Sequence, residues 1–195
     1  MKKIIILILI SISITVLSQG QCPPNNGDNI NRPELDKFEG TWKYSGNGIE
    51  ATLMLKKIHS HFNYPTKSYY SDLLVGVYKV VSGIQVLFDN TNEYNDLALT
   101  TYRPKLILDI KCNKLNEPNK VVGFLRDVVK LKTVNIKATY VASSTPEIIF
   151  RQINPERFGL TNINGTIASH DIFNPNGSFN PAFTIPNNVN FIKQP

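Results

Sequence analysis

What the sequence lacks narrows it first. Beyond the N-terminal residues, no apolar run approaches the roughly 20 residues that a membrane-crossing helix needs. No Gly-x-Ser-x-Gly elbow presents a serine nucleophile, and serines such as Ser143 and Ser144 gather in turns, so a Ser-His-Asp hydrolase has no motif behind it. Basic residues exceed acidic ones by only 6, and they are dispersed, which argues against a nucleic-acid partner. No period repeats, and helix-forming stretches are few. These absences leave no cofactor to expect and favour a non-enzymatic protein.

The N-terminus is the most informative stretch. Lys2 and Lys3 precede an unbroken Ile/Leu run over residues 4–10, and the apolar character continues to Leu17. That length and the small residues after it read as a secretory leader, not a membrane anchor. Residues 1–18 are therefore expected to be removed, by cleavage after Ser18 or Gly20. The formal charge then falls from +6 to +4, since two of the 21 basic residues leave with the leader. The mature chain, of about 175 residues, is one domain in size, with no membrane span, placed in the periplasm or secreted. A lipoprotein anchored through Cys22 is a poor match, because Gln21 stands where a small residue belongs. An oxidising compartment permits Cys22 to pair with Cys112, closing a loop of about 90 residues worth roughly 4 kcal/mol. The other arrangement is one buried thiol and one exposed.

Residues 19–34 are turn-rich and polar and are expected to form a flexible arm. Residues 35–195 then read as a single all-β domain. Ile49, Ala51, Leu53 and Leu55 alternate with polar partners just after Asn47-Gly48, a hairpin turn pair. Apolar runs at 73–81 and 84–88 flank Ser82-Gly83, and alternation recurs at 106–112 and 134–140. Shorter runs lie at 121–125, 128–132, 148–153, 163–167, 183–185 and 189–192, and residues 62–67 read as a loop. About nine or ten short strands at near-regular spacing predict an antiparallel β-barrel, or else a β-sandwich. One-turn helices are expected at 34–38 and 155–159.

Gly40-Thr41-Trp42 resembles the Gly-x-Trp motif on the first strand of the calycins, the superfamily of lipocalins and fatty-acid-binding proteins. The resemblance implies an up-and-down barrel whose bottom Trp42 closes, with a late-strand cation, Arg151 or Lys193, lying across it. It also implies an interior cavity and an apolar small ligand. The alternating faces would line that cavity with Leu53, Leu55, Val77, Val86, Leu108 and Ile136. The Lys-Lys-Ile leader and terminal Phe191-Ile192-Lys193-Gln194 are similar to a family of small secreted flavobacterial proteins with no assigned function.

Three readings follow: an exported binder of an apolar ligand, an envelope structural or interaction protein with a filled core, and, more remotely, a zinc hydrolase. The last rests on His59-Ser60-His61, whose imidazoles share one strand face, with His170 as a third ligand. Two solvated histidines are the plainer account. The acidic, amide-rich stretch 89–96 lacks the spacing of an EF-hand loop and reads as a solvated loop. Asn164 and Asn176 fit the glycosylation pattern, relevant only in a eukaryotic source, which the leader does not favour. N-terminal sequencing of the protein from its host's exported fraction is expected to begin at Gln19 or Gln21; a chain still beginning at Met1 would overturn the leader assignment.

Overall fold

Alternating apolar stretches that each bury one face have to find neighbours for their backbone, and here they do so in a ring. The computed structural model describes residues 24–97, 105–110, 117–129, 132–152 and 184–195. The leader, Cys22, Cys112, His170 and the elements expected at 155–159 and 163–167 lie outside the described residues, as does residue 183; of the strand expected at 183–185, Thr184 and Ile185 form a bend instead. The strands are β1 (Asn29–Ile30), β2 (Gly40–Gly46), β3 (Ile49–Tyr64), β4 (Lys67–Ser82), β5 (Gln85–Asp89), β6 (Leu106–Asp109), β7 (Lys120–Asp127), β8 (Lys132–Val141), β9 (Glu147–Gln152) and β10 (Val189–Lys193). Two 3-10 turns, Pro33–Phe38 and Thr91–Asp96, complete them.

Strands β2, β3, β4, β6, β7, β8, β9 and β10 each pair antiparallel with the next, and β10 returns to β2. The result is a closed 8-strand antiparallel barrel, and closure leaves no sandwich of two open sheets. Strands β1 and β5 stand outside the ring, both on the edge of β4. The β2–β3 turn is the one the sequence announces: Asn47 has φ 52° and Gly48 φ 73°, the positive values that a two-residue hairpin turn of this hand requires.

One end of the barrel is shut by Trp42, which is fully buried. Its indole Nε1 donates to the carbonyl of Phe38 at 2.8 Å, tying the strand to the preceding 3-10 turn. Tyr140 meets the indole edge-on. Lys193 supplies the cation, with Nζ 5.1 Å from the ring centroid, while Arg151 is engaged with Asn188. Gly40 makes room for this: its φ of 115° is one that L side chains rarely adopt, and a Cβ there would sit 3.3 Å from Lys193 Cε.

The inward side chains form one core that runs from Phe38 and Trp42 to Phe150 and Phe191. A second cluster covers the outside of β3 and β4, where Leu73, Val75, Val77 and Leu97 pack with Met54, Ile58 and Tyr94. The turn Thr91–Asp96 is held there by buried Asn90, whose N donates to Tyr78 O and whose Oδ1 accepts from Tyr78 N. Because β4 is buried on both faces from Ser71 to Tyr78, its run is apolar in both phases.

Four other local expectations change. Residues 62–67 are the ends of β3 and β4 around a tight turn, with Tyr64 paired to Lys67. The β4–β5 turn falls on Gly83 and Ile84, between the paired Ser82 and Gln85, because Gly83 takes the positive φ. Val128 and Val129 form the turn between β7 and β8 instead of a strand. Within the expected flexible arm, Asn29 and Ile30 pair parallel with Tyr70 and Ser71, since β4 offers them an unfilled edge.

Truncating Trp42 to Ala is expected to cost about 3–5 kcal/mol of stability. Lys193→Met, which keeps the stem and removes the charge, is expected to cost about 0.5–2 kcal/mol. Urea unfolding followed by circular dichroism measures both; equal effects would mean that the cation, not the indole, is the main closure.

Candidate interaction surface on a projecting hairpin

The six residues expected to line a cavity do not share one environment. Leu53, Leu55, Leu108 and Ile136 point into the barrel and keep 1 % of their surface or less. Val77 is buried on the opposite face of β4, beneath the Thr91–Asp96 turn. Val86 is 52 % exposed, because β5 hangs beside the barrel and is not one of its staves. Leu74, Leu106, Val121, Leu125, Ile136 and Phe191 each keep 0 %, so no void able to admit a water molecule touches these side chains.

The surface is more distinctive than the interior. Strands β3 and β4 are each 16 residues long, but β2 pairs with β3 only as far as Leu55. The remainder projects past the Trp42 end as a two-stranded hairpin, the arm. On one face Phe62, Tyr64 and Tyr69 stack, with Phe62 and Tyr69 centroids 5.1 Å apart. On the other, Tyr70 lies against both histidines of the His-x-His pair, 5.6 Å from His59 and 4.6 Å from His61. Tyr64 and Tyr70 are among the most exposed large side chains of the described residues.

Both histidines already have a partner. His59 Nδ1 donates to Asp72 Oδ1 at 2.7 Å, and His61 Nε2 lies 2.6 Å from Ser68 Oγ. Among the described residues, no three His, Cys, Asp or Glu side chains gather closely enough to hold a metal, and His170 is not among them. In the stretch 89–96, Asp89 Oδ1 accepts from Thr91 N and Oγ1, and Asp89 Oδ2 pairs with Lys79 at 2.9 Å. It acts as a capped turn.

The arm is anchored by a charged cluster that motif reading misses. Arg32, only 3 % exposed, follows β1. Its backbone N–H donates to Asp72 Oδ2 at 2.9 Å, and its Nε lies 3.4 Å from Asp109 Oδ1. Asp72 thereby joins His59 on the arm to the N-terminal segment. Burial pushes the Asp109 carboxyl above its ordinary value, against the pull of Arg32. Lys57 is raised, chiefly by its hydrogen bond to Asp36. The local signal for the arm was faint: Ile58, Phe62 and Tyr64 share one parity, opposite to that of Leu53 and Leu55. Nothing in the local pattern marked Arg32.

Fold and surface together define the class: a closed up-and-down barrel bearing one long hairpin at its plugged end. The family model that matches residues 1–194 is that of a family of unknown function, DUF6705, and the chain belongs to it. A comparison with curated proteins and one with solved structures found no match.

Asp72→Ala, which removes the acceptor of the Arg32 N–H, is expected to free residues 24–32 from the arm. Hydrogen exchange should then speed at Tyr70 and Ser68, whose N–H groups donate to Asp28 O and Asn26 Oδ1; unchanged exchange there would show that β1 holds without the cluster. A carboxyl raised in the folded state adds stability at low pH that is lost as pH climbs through its folded value. Asp109→Asn should therefore flatten the decline in urea midpoint from near pH 3.8 upward, and an unaltered profile would exclude Asp109 as its source.

Proposed function

We propose that this is an exported, non-enzymatic interaction protein of the cell envelope or its exterior, in which a filled barrel serves as a stem and the β3–β4 arm meets the partner. The observation that carries this reading is the contrast between the two regions. Leu53, Leu55, Leu108 and Ile136 lie within one buried core, with 1 % of their surface or less left, whereas Tyr64 and Tyr70 stand exposed on the arm, Tyr64 stacked on half-buried Phe62 and Tyr69. Large aromatics held rigid at a surface are what protein interfaces concentrate at their centres. The N-terminal leader pattern supports export.

A second reading is favoured by the closed end. Gly40-x-Trp42, with Lys193 across the indole, resembles the calycins, whose barrels hold apolar ligands. It requires the core around Leu108 and Ile136 to open for a guest.

Native mass spectrometry of the mature protein from its host, paired with titration of a dansyl-labelled fatty acid, separates the two. Bare protein and no saturable fluorescence are expected. A bound mass of a few hundred daltons, released by organic solvent, would instead establish the ligand barrel.

A further inference from the structure

The two edges of the arm differ. Along β4, the edge beyond β6 is occupied by β1, so an extended segment already adds to this hairpin as a strand. Along β3, the edge past Lys57 has no strand beside it among the described residues. Its phase is set by one bond: Lys57 N donates to Glu39 Oε1 at 2.6 Å, so that amide points away from β4. Alternate residues of an antiparallel strand direct their backbone groups the same way. The N–H and C=O groups of His59, His61 and Asn63 therefore line the open edge.

Charge says what would fit. Residues 56–71 contain Lys56, Lys57, Lys67, His59 and His61, and no carboxylate. At the root of this edge, Lys57 already draws two acids, Asp36 to its ammonium and Glu39 to its amide. Lys56 lies on the face that carries Phe62 and Tyr64, whereas Lys67 Nζ, 5.6 Å over the Tyr69 ring, reaches Pro24 O on the β1 side. A second copy of this chain would bring the same cations together and is disfavoured.

We propose that the open edge of β3 takes up an extended acidic peptide segment of a partner protein as an added strand. The amides of His59, His61 and Asn63 supply the ladder. Side chains of one parity lie along Phe62 and Tyr64, with a carboxylate toward Lys56 at the root of the edge. This rests on the interaction-protein reading and names the chemistry of its partner.

The test uses the whole mature protein and two synthetic peptides, one alternating Glu with Val and one alternating Lys with Val. Fluorescence anisotropy at low salt is expected to show the Glu peptide binding at least about tenfold more tightly than the Lys peptide, with the preference shrinking as salt rises. Hydrogen exchange should show new protection at His59, His61 and Asn63. The variant Lys56→Glu, on the arm's surface, should lose the preference while circular dichroism stays unchanged. Equal affinity for the two peptides would overturn the proposal, as would binding without protection at those three amides. Protection there in the free protein would also overturn it, since the edge would then be covered by the chain itself or, if concentration-dependent, by a second copy. An apolar guest in the barrel would sink the filled-stem reading without altering the amide pattern, so the two failures are distinguishable.

Discussion

A strand longer than the wall it belongs to must find partners for its surplus backbone, because an unpaired peptide group away from water costs as much as a lost hydrogen bond. Strand β4 has 16 residues, and its edge opposite β3 is shared in sequence by β5, β6 and β1. Only the contact with β6 closes the barrel. The contact with β5 brings the chain round to Asn90 and the turn that covers Leu73, Val75 and Val77. The contact with β1 orders the N-terminal segment and delivers Arg32 to Asp72 and Asp109. Outer layer, N-terminal segment and arm are three consequences of one overlong hairpin.

The barrel was legible where one face is wet. Alternation at Ala51, Leu53 and Leu55 and at Val134, Ile136 and Ala138 reports which side chains point inward, and Asn47-Gly48 reports the turn between β2 and β3. It was illegible where both faces are dry: at Val77 the period carries no information, because the outer face of β4 has its own cover. Val86 misled for a different reason, since alternation cannot tell a stave from a strand paired outside the ring. The single tryptophan and the glycine before it pointed to the closed end. Choosing Lys193 over Arg151 needed the register of β10 on β2. Of the arm, composition showed the aromatics and histidines. It could not show that Pro65 and Thr66 make a tight turn instead of ending the strands, so the surface that the hairpin creates stayed hidden.

Stem and arm divide the physical demands placed on the chain. Inside the barrel, side chains meet at the density of an organic crystal, and a change of one methylene is felt. On the arm, two strands with little core beneath them are held by ring stacking, by Asp72 between His59 and Arg32, and by β1 alongside. An isolated two-stranded hairpin is marginal in water, and each of these devices replaces part of the core it lacks. The same devices leave one backbone edge open among the described residues and Tyr64 exposed.

The seam of the barrel also orders events in time. Lys193 Nζ reaches the carbonyl of Lys37, 156 residues earlier in the chain, and Gln194 N–H donates to Thr41 O beside it. A chain emerging from its N-terminus can form the β2–β3–β4 hairpins early, but the first barrel strand stays bare on one side until the last has appeared. Contacts this distant make for slow folding. During that interval the indole of Trp42 has no lid, which makes its fluorescence a clock for the final stitch.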